Sequence, residues 1–419
     1  MRGGVYPYGY ELPVGDLLDF VRVRNRRCHA RHEDALAGLG EWTDLKTVAE
    51  LAHTRQDPDL ARIILGYLPL TFSRRHGDPS RPWNRFSIRV RDEIGDDILT
   101  YEGNWRDIFQ NWEALLQSYP AYFPHVVATF LNASTADGHN AYRISRDGID
   151  WEVPDADDPW SNIGYWGDHQ IVYLLRLLEA WEQFAPGELD AWADERIFVY
   201  ADVPYTIADH HAMVADPHET ITFDAERARK IASREGDLGT DGRLLVTTSG
   251  SLVRAGLLEK LLVPAMAKVS AFVPGGGIWM NTQRPEWNDA NNALAGTGLS
   301  VVTLAHLVRY LRFLRDLCGR IGQRSLPVSP FVEQWLREIA DVLDQPPVAP
   351  TDNVRRRALL DALGSIATAA RHRITAGIGD ETVQLRLADV ERFCDAALAH
   401  LEQSLRQSRR PDRLYHSYN

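Results

Sequence analysis

Helical periodicity runs through this chain from end to end, and it leaves little room for a sheet-based fold. Segments 44–54 and 57–68 open on capping residues, and Pro58 stands at a first helical position, where its missing N–H costs nothing. A helix from about Trp105 to Tyr119 stops before Pro120. Asp168 reads as the N-cap of the next, with Ile171, Leu174, Leu175, Leu178 and Trp181 on one face. Shorter amphipathic helices are expected at 187–200 and 224–235, and Ser251 is expected to cap a longer one reaching about Phe272. From Leu299 to Leu317 apolar residues cover nearly every face, which predicts a helix buried all round. Three more helices are expected near 328–344, 352–373 and 385–408. Strand-like runs are few: 86–90 with 97–101 as a hairpin, and short strands at 194–201 or 244–248.

Long polar loops rich in aromatic residues separate alternate helices, a pattern that solvent-facing bundles do not need. A toroid of helical hairpins does need it, because loops at one end of the ring then build a site. The expected fold is therefore all-α, with residues 1–100 as a helical or irregular lead-in to a region spanning 101–419, the two forming one continuous domain. The 419 residues are 44% hydrophobic and 25% charged, enough for a large core. A formal net charge of −12 argues against a nucleic-acid surface and gives no reason to expect anionic membranes. No apolar run is long enough to span a bilayer, and the first residues lack a secretory signal. Cys28, Cys318 and Cys394 are odd in number and far apart, so they read as buried thiols, with the cytoplasm as the expected compartment.

Twelve Trp and fifteen Tyr are more telling, because many of the Trp sit in polar, glycine-containing loops. Rings with polar neighbours hold neutral polar ligands that have apolar faces, and carbohydrates are the commonest of these. Three clusters stand out. Trp287-Asn288-Asp289 combines a platform, an amide and a carboxyl group before the apolar helix. Packed against Trp287, Asp289 would be desolvated and kept protonated for transfer to a glycosidic oxygen; the plainer reading is a turn residue and helix cap. Trp105-Arg106-Asp107 can stack on a sugar ring and fork to its hydroxyls, or can simply open a helix. Trp166 with Asp168-His169 can be a cap with a sugar contact, and the loop holding Asp137, His139 and Asn140 can line a subsite. Asp209-His210-His211 adds imidazoles without the spacing of a helical metal site, so neither metal nor cofactor is expected. The hydroxyl-rich run Val246–Ser251 precedes a helix and could hold an anion. A helical scaffold using aromatic loops for a protein partner would show the same helix count.

In this order and spacing the clusters resemble the six-hairpin glycosidase superfamily, closest to the cellobiose and chitobiose phosphorylase group. That group has an aromatic-Arg-Asp-x-x-Gln motif, matched by Trp105-Arg106-Asp107 with Gln110, and a later Trp-Asn-Asp, matched by Trp287-Asn288-Asp289. The resemblance spans roughly residues 100–315. It implies an (α/α)6 toroid, with ring closure at the C-terminal end left open. It implies sugar binding by Arg106 and Asp107, a subsite shaped by Trp287 and Asn288, and Asp289 as general acid. Asp168-His169 resembles the pair that opens a barrel helix in that group. The implied substrate is an oligosaccharide or glycoside, with inorganic phosphate as the attacking partner. The family's N-terminal β-sandwich and its Gly-Thr-rich phosphate loop have no match. An inverting hydrolase, with Glu102, Asp107 or Asp168 as base at about 6.5–9.5 Å from the acid, therefore stays open beside phosphorolysis.

Overall fold

The computed structural model describes residues 6–72, 91–95, 98–141, 143–151, 153, 157, 165–166, 170–218, 220–281, 294 and 296–419, with the side chains of 104–107 and 165–166 outside the description. Among the described residues 56% are helical, in fifteen α-helices, and 15% are in strands, a composition compatible with a helical toroid. The predicted 86–90 strand falls outside these residues.

Helix starts follow the capping chemistry closely. Asp44 accepts from the Thr47 N–H, Asp57 from those of Asp59 and Leu60, Asp224 from those of Glu226 and Arg227, and Asp352 from that of Arg355. The predicted 187–200 helix shrinks to Glu188–Ala191, and Phe198–Val199 is a strand. The helix expected from Ser251 begins only at Leu257, because Arg254–Ala255 pairs with Phe198–Val199 first.

Leu257–Ser270 is the innermost helix: every residue except Ala267 is buried, including Glu259 and Lys260. It packs against Gln170–Phe184, Val301–Ile321, Pro330–Leu343 and Asn353–Ala376. The expectation that the helix after residue 299 is the one buried all round is corrected here. Arg309, Arg312, Arg315 and Arg320 form a stripe along Val301–Ile321 and reach Glu179, Glu402, Asp395 and Asp190. Guanidinium groups at that spacing define a solvent face.

Short strands tie helix starts together. Glu11–Pro13 pairs with Trp42–Asp44 directly before helices Val14–Arg24 and Leu45–Arg55. Ser325–Val328 pairs with Val383–Arg386 before Pro330–Leu343 and Leu387–Gln407.

Two buried clusters emerge. The smaller comprises Leu12, Leu17, Phe20, Val21, Cys28, Leu36, Val48, Ala52, Leu60, Ile63, Ile64 and Tyr67, the interior of a four-helix N-terminal unit. The larger fills the remainder. The join between them is polar. Arg62, 5% exposed, pairs with Asp241, 2% exposed, whose carboxylate also accepts from Asn25 Nδ2 at 2.9 Å. Arg146 reaches Asp16 and Asp19, and Arg254 reaches Asp59. All three cysteines are buried free thiols. Among the described residues no helix is long and apolar enough to cross a membrane.

Candidate functional site

The first motif stands at a strand-to-helix junction. Glu102–Asn104 is a strand, and Trp105, Arg106 and Asp107 form the first turn of helix Trp105–Leu116. Ile108, Phe109, Trp112 and Leu116 anchor that helix in the core, and Gln110 is exposed. Glu102, one of the candidate bases, is held by Arg143 at 3.2 Å, and Arg143 also reaches Asp150.

A single stretch of backbone connects this junction to the second motif. Asn104 stands opposite Arg143 in one antiparallel ladder, and Trp166 stands opposite Asn140 in another. Residues 140 and 143 are three apart, so their backbones lie within roughly 11 Å of each other. The start of Trp105–Leu116 and the strand holding Trp166 are thereby brought close. Asp168 and His169 lie outside the described residues; Gln170 opens the helix that follows them, and that helix packs on Trp105–Leu116.

Trp287, Asn288 and Asp289 also lie outside the described residues. What is described is the base from which that stretch departs and to which it returns. Gly277–Trp279 pairs with Leu299–Ser300, Met280 N–H donates to the Gly298 carbonyl, and Gly296 N–H donates to the Met280 carbonyl. Trp279 Nε1 donates to the Gly296 carbonyl at 2.9 Å. The final residues add to this small sheet: Leu299 and Asn419 exchange both backbone hydrogen bonds, and Ser300 stands opposite Tyr418.

Beside the 135–141 loop lies a cavity of about 220 Å3, lined by Thr135, Asp137, Tyr205, Thr206, Arg227, Arg371, His372 and Thr375 among others. Burial pushes the Asp137 carboxyl up, but the neighbouring His139 imidazole, the Thr135 hydroxyl and the nearby Arg371 outweigh it and hold the group at about 2. Asp137 is therefore a carboxylate at neutral pH, suited to accepting hydrogen bonds and not to donating a proton. His139 Nδ1 stands 3.6 Å from it, and the His139 side chain is 12% exposed. The loop is fixed from below by the innermost helix, where Lys260 Nζ donates to the carbonyls of Ser134 and Val199 at 3.3 and 2.7 Å.

Ionised carboxylate, imidazole, guanidinium groups and hydroxyls around one cavity can bind a polyhydroxylated ligand. Of the loop that the sequence singles out, Asp137 lines this cavity and His139 stands beside Asp137, whereas Arg227, Arg371 and His372 carry no such signal. Those three sit on amphipathic helices, Ala225–Leu238 and Asn353–Ala376, where their pattern reads as a solvent face.

Two other candidate sites resolve into structural roles. His210 is buried, bonds Asp361 at 2.8 Å and receives no partner from His211 beyond ring contact, while Asp209 pairs with His372 at 2.9 Å. The hydroxyl-rich run folds as a turn with its own chain from Thr247 through Ser249 to Ser251, and it does not abut a helix N-terminus.

A search of curated proteins returns no match to this chain. Residues 6–69, which span the four-helix N-terminal unit and its separate core, do match a known family. That family is described as glycoside hydrolase family 149 insertion domain 1, and the match supports a carbohydrate-active enzyme of the glycoside hydrolase or phosphorylase type.

Proposed function

We propose that this chain cleaves glycosidic bonds with inversion, in the manner of a glycoside phosphorylase, with Asp289 as general acid. The observation that carries the carbohydrate reading is the match of residues 6–69 to a glycoside hydrolase insertion domain. The order of motifs along the chain supports the finer assignment. Trp105, Arg106, Asp107 and Gln110 bind the sugar at the bond that breaks. Trp287 and Asn288 shape the same subsite, and Trp166, Asp168, His169 and His139 complete it. Domain organisation follows: residues 1–100 lead into a catalytic region at 101–419. Three buried thiols suit a reducing cytoplasm.

Asp289 protonates the departing oxygen, and phosphate attacks the anomeric carbon from the opposite face, so no protein base is required. In a hydrolase, a carboxylate would activate water on that face instead. The sequence offers no match to the family's phosphate loop, which keeps hydrolysis as the second reading.

The test is incubation with a panel of α- and β-linked glucosides and disaccharides, with and without inorganic phosphate. Phosphate-dependent release of sugar 1-phosphate is the expected result. Free reducing sugar without phosphate would replace phosphorolysis with hydrolysis. No turnover under either condition would overturn the enzymatic reading.

A further inference from the structure

Cys28 and His32 stand one turn apart on helix Arg26–Ala37, so both side chains leave the same face. Opposite them Asp57 caps helix Pro58–Leu65. One ligand atom from each residue, a thiol sulfur, a ring nitrogen and a carboxylate oxygen, lies within 4.8 Å of the other two. Cys28 is 0% exposed and His32 is 8% exposed. The Asp57 side chain keeps a 14% opening to solvent.

The two Asp57 oxygens have separate duties. Oδ1 accepts from the N–H groups of Asp59 and Leu60, while Oδ2 faces His32 Nε2 at 2.8 Å and Arg31 on the solvent side at 2.7 Å. The other His32 nitrogen, Nδ1, is buried and has no hydrogen-bond partner. An ion seated between Nε2, Oδ2 and the Cys28 sulfur would take the place of the proton shared by His32 and Asp57, and the ring proton would then reside on Nδ1.

We propose that Cys28, His32 and Asp57 bind one divalent cation of the zinc type, pinning helix Arg26–Ala37 to the cap of helix Pro58–Leu65. Mixed sulfur, nitrogen and oxygen donors suit zinc, whereas magnesium and calcium take oxygen alone. On binding, Cys28 releases its thiol proton to solvent, and thiolate and carboxylate together balance the two positive charges of the ion. Water fills the fourth position from the side where Asp57 is open, and Arg31 remains an outer partner of the carboxylate.

The test uses the full chain, dialysed against a chelator and titrated with Co2+ as a spectroscopic stand-in for zinc. The expected result is a thiolate-to-cobalt charge-transfer band that saturates at one equivalent and is displaced by Zn2+. Cys28→Ala should abolish the band and lower zinc affinity by more than about 100-fold. His32→Gln should weaken both, and it serves as the readout if Cys28→Ala does not fold. A wild-type chain with no such band, or a band that survives Cys28→Ala, overturns the site and leaves the cluster as an ion-paired helix cap beside a packed thiol. No sugar enters this experiment, so its failure leaves the carbohydrate reading untouched.

Discussion

Gly138 shows how much of the candidate site rests on a single residue. Its φ is +88°, and a Cβ there would meet Ala267 Cβ at 2.5 Å and the Val263 carbonyl oxygen at 3.0 Å. The loop can lie on the innermost helix only because nothing projects from this position, and Asp137 and His139 flank it. Gly138→Ala is expected to cost about 2–4 kcal/mol, from the left-handed backbone and overpacking together, measured by urea unfolding. At the proposed catalytic position, Asp289→Asn should lower turnover by about 10²–10⁴-fold while sugar binding persists, measured as kcat against KM; unchanged turnover would exclude Asp289 as the acid. Sequence reading reached these places unevenly, for a physical reason. Trp287-Asn288-Asp289 is visible because its chemical groups are neighbours in the chain. Arg371 joins Asp137 only through folding, and no local pattern announces that.

Among the secondary-structure elements, local chemistry determined what could be read. Caps such as Asp44, Asp57 and Asp224 act on N–H groups two or three residues away, so those helices begin close to where the sequence puts them. The identity of the innermost helix was not legible. Glu259 and Lys260 look like surface residues until distant partners are counted: Tyr200 and Ser329 for the carboxyl group, the Ser134 and Val199 carbonyls for the lysine nitrogen. Three-residue strands were missed because they carry no alternation of their own; Glu11–Pro13 and Trp42–Asp44 exist where two helix starts meet. The N-terminal unit is locked on the larger core by a buried ion pair, and this gives a prediction. Arg62→Met leaves Asp241 in the interior with Asn25 as its remaining neutral partner and should destabilise the chain by about 3–5 kcal/mol. Thermal unfolding checks the loss, and hydrogen exchange confined first to residues 6–69 would show that the unit loosens before the rest.

For the molecule as a whole, stability should depend on acid in two steps. Burial lowers the pKa of His125 from 6.5 to about 4, and the hydrogen bond to the Tyr67 carbonyl only partly offsets this. Between about pH 6.5 and 4 the unfolded chain takes up a proton at His125 that the folded chain does not, so stability falls as pH falls through that window. Asp137 has the opposite chemistry and the same direction: its carboxylate is held at about 2 against an ordinary 3.8, so its contribution is present above pH 4 and fades towards pH 2. His125→Gln should flatten the first step and spare the second, read as Tm against pH. One structural feature also bears on how such a chain can vary in length. Residues 140–145 pair at one end with the Trp166 strand and at the other with the strand that launches Trp105–Leu116. An inserted or deleted residue between Ala141 and Arg143 would shift one ladder by a single step against the other and turn its side chains to the opposite face. Asn140, Ala141 and Arg143–Ser145 thereby act as a ruler that keeps the two ladders in phase.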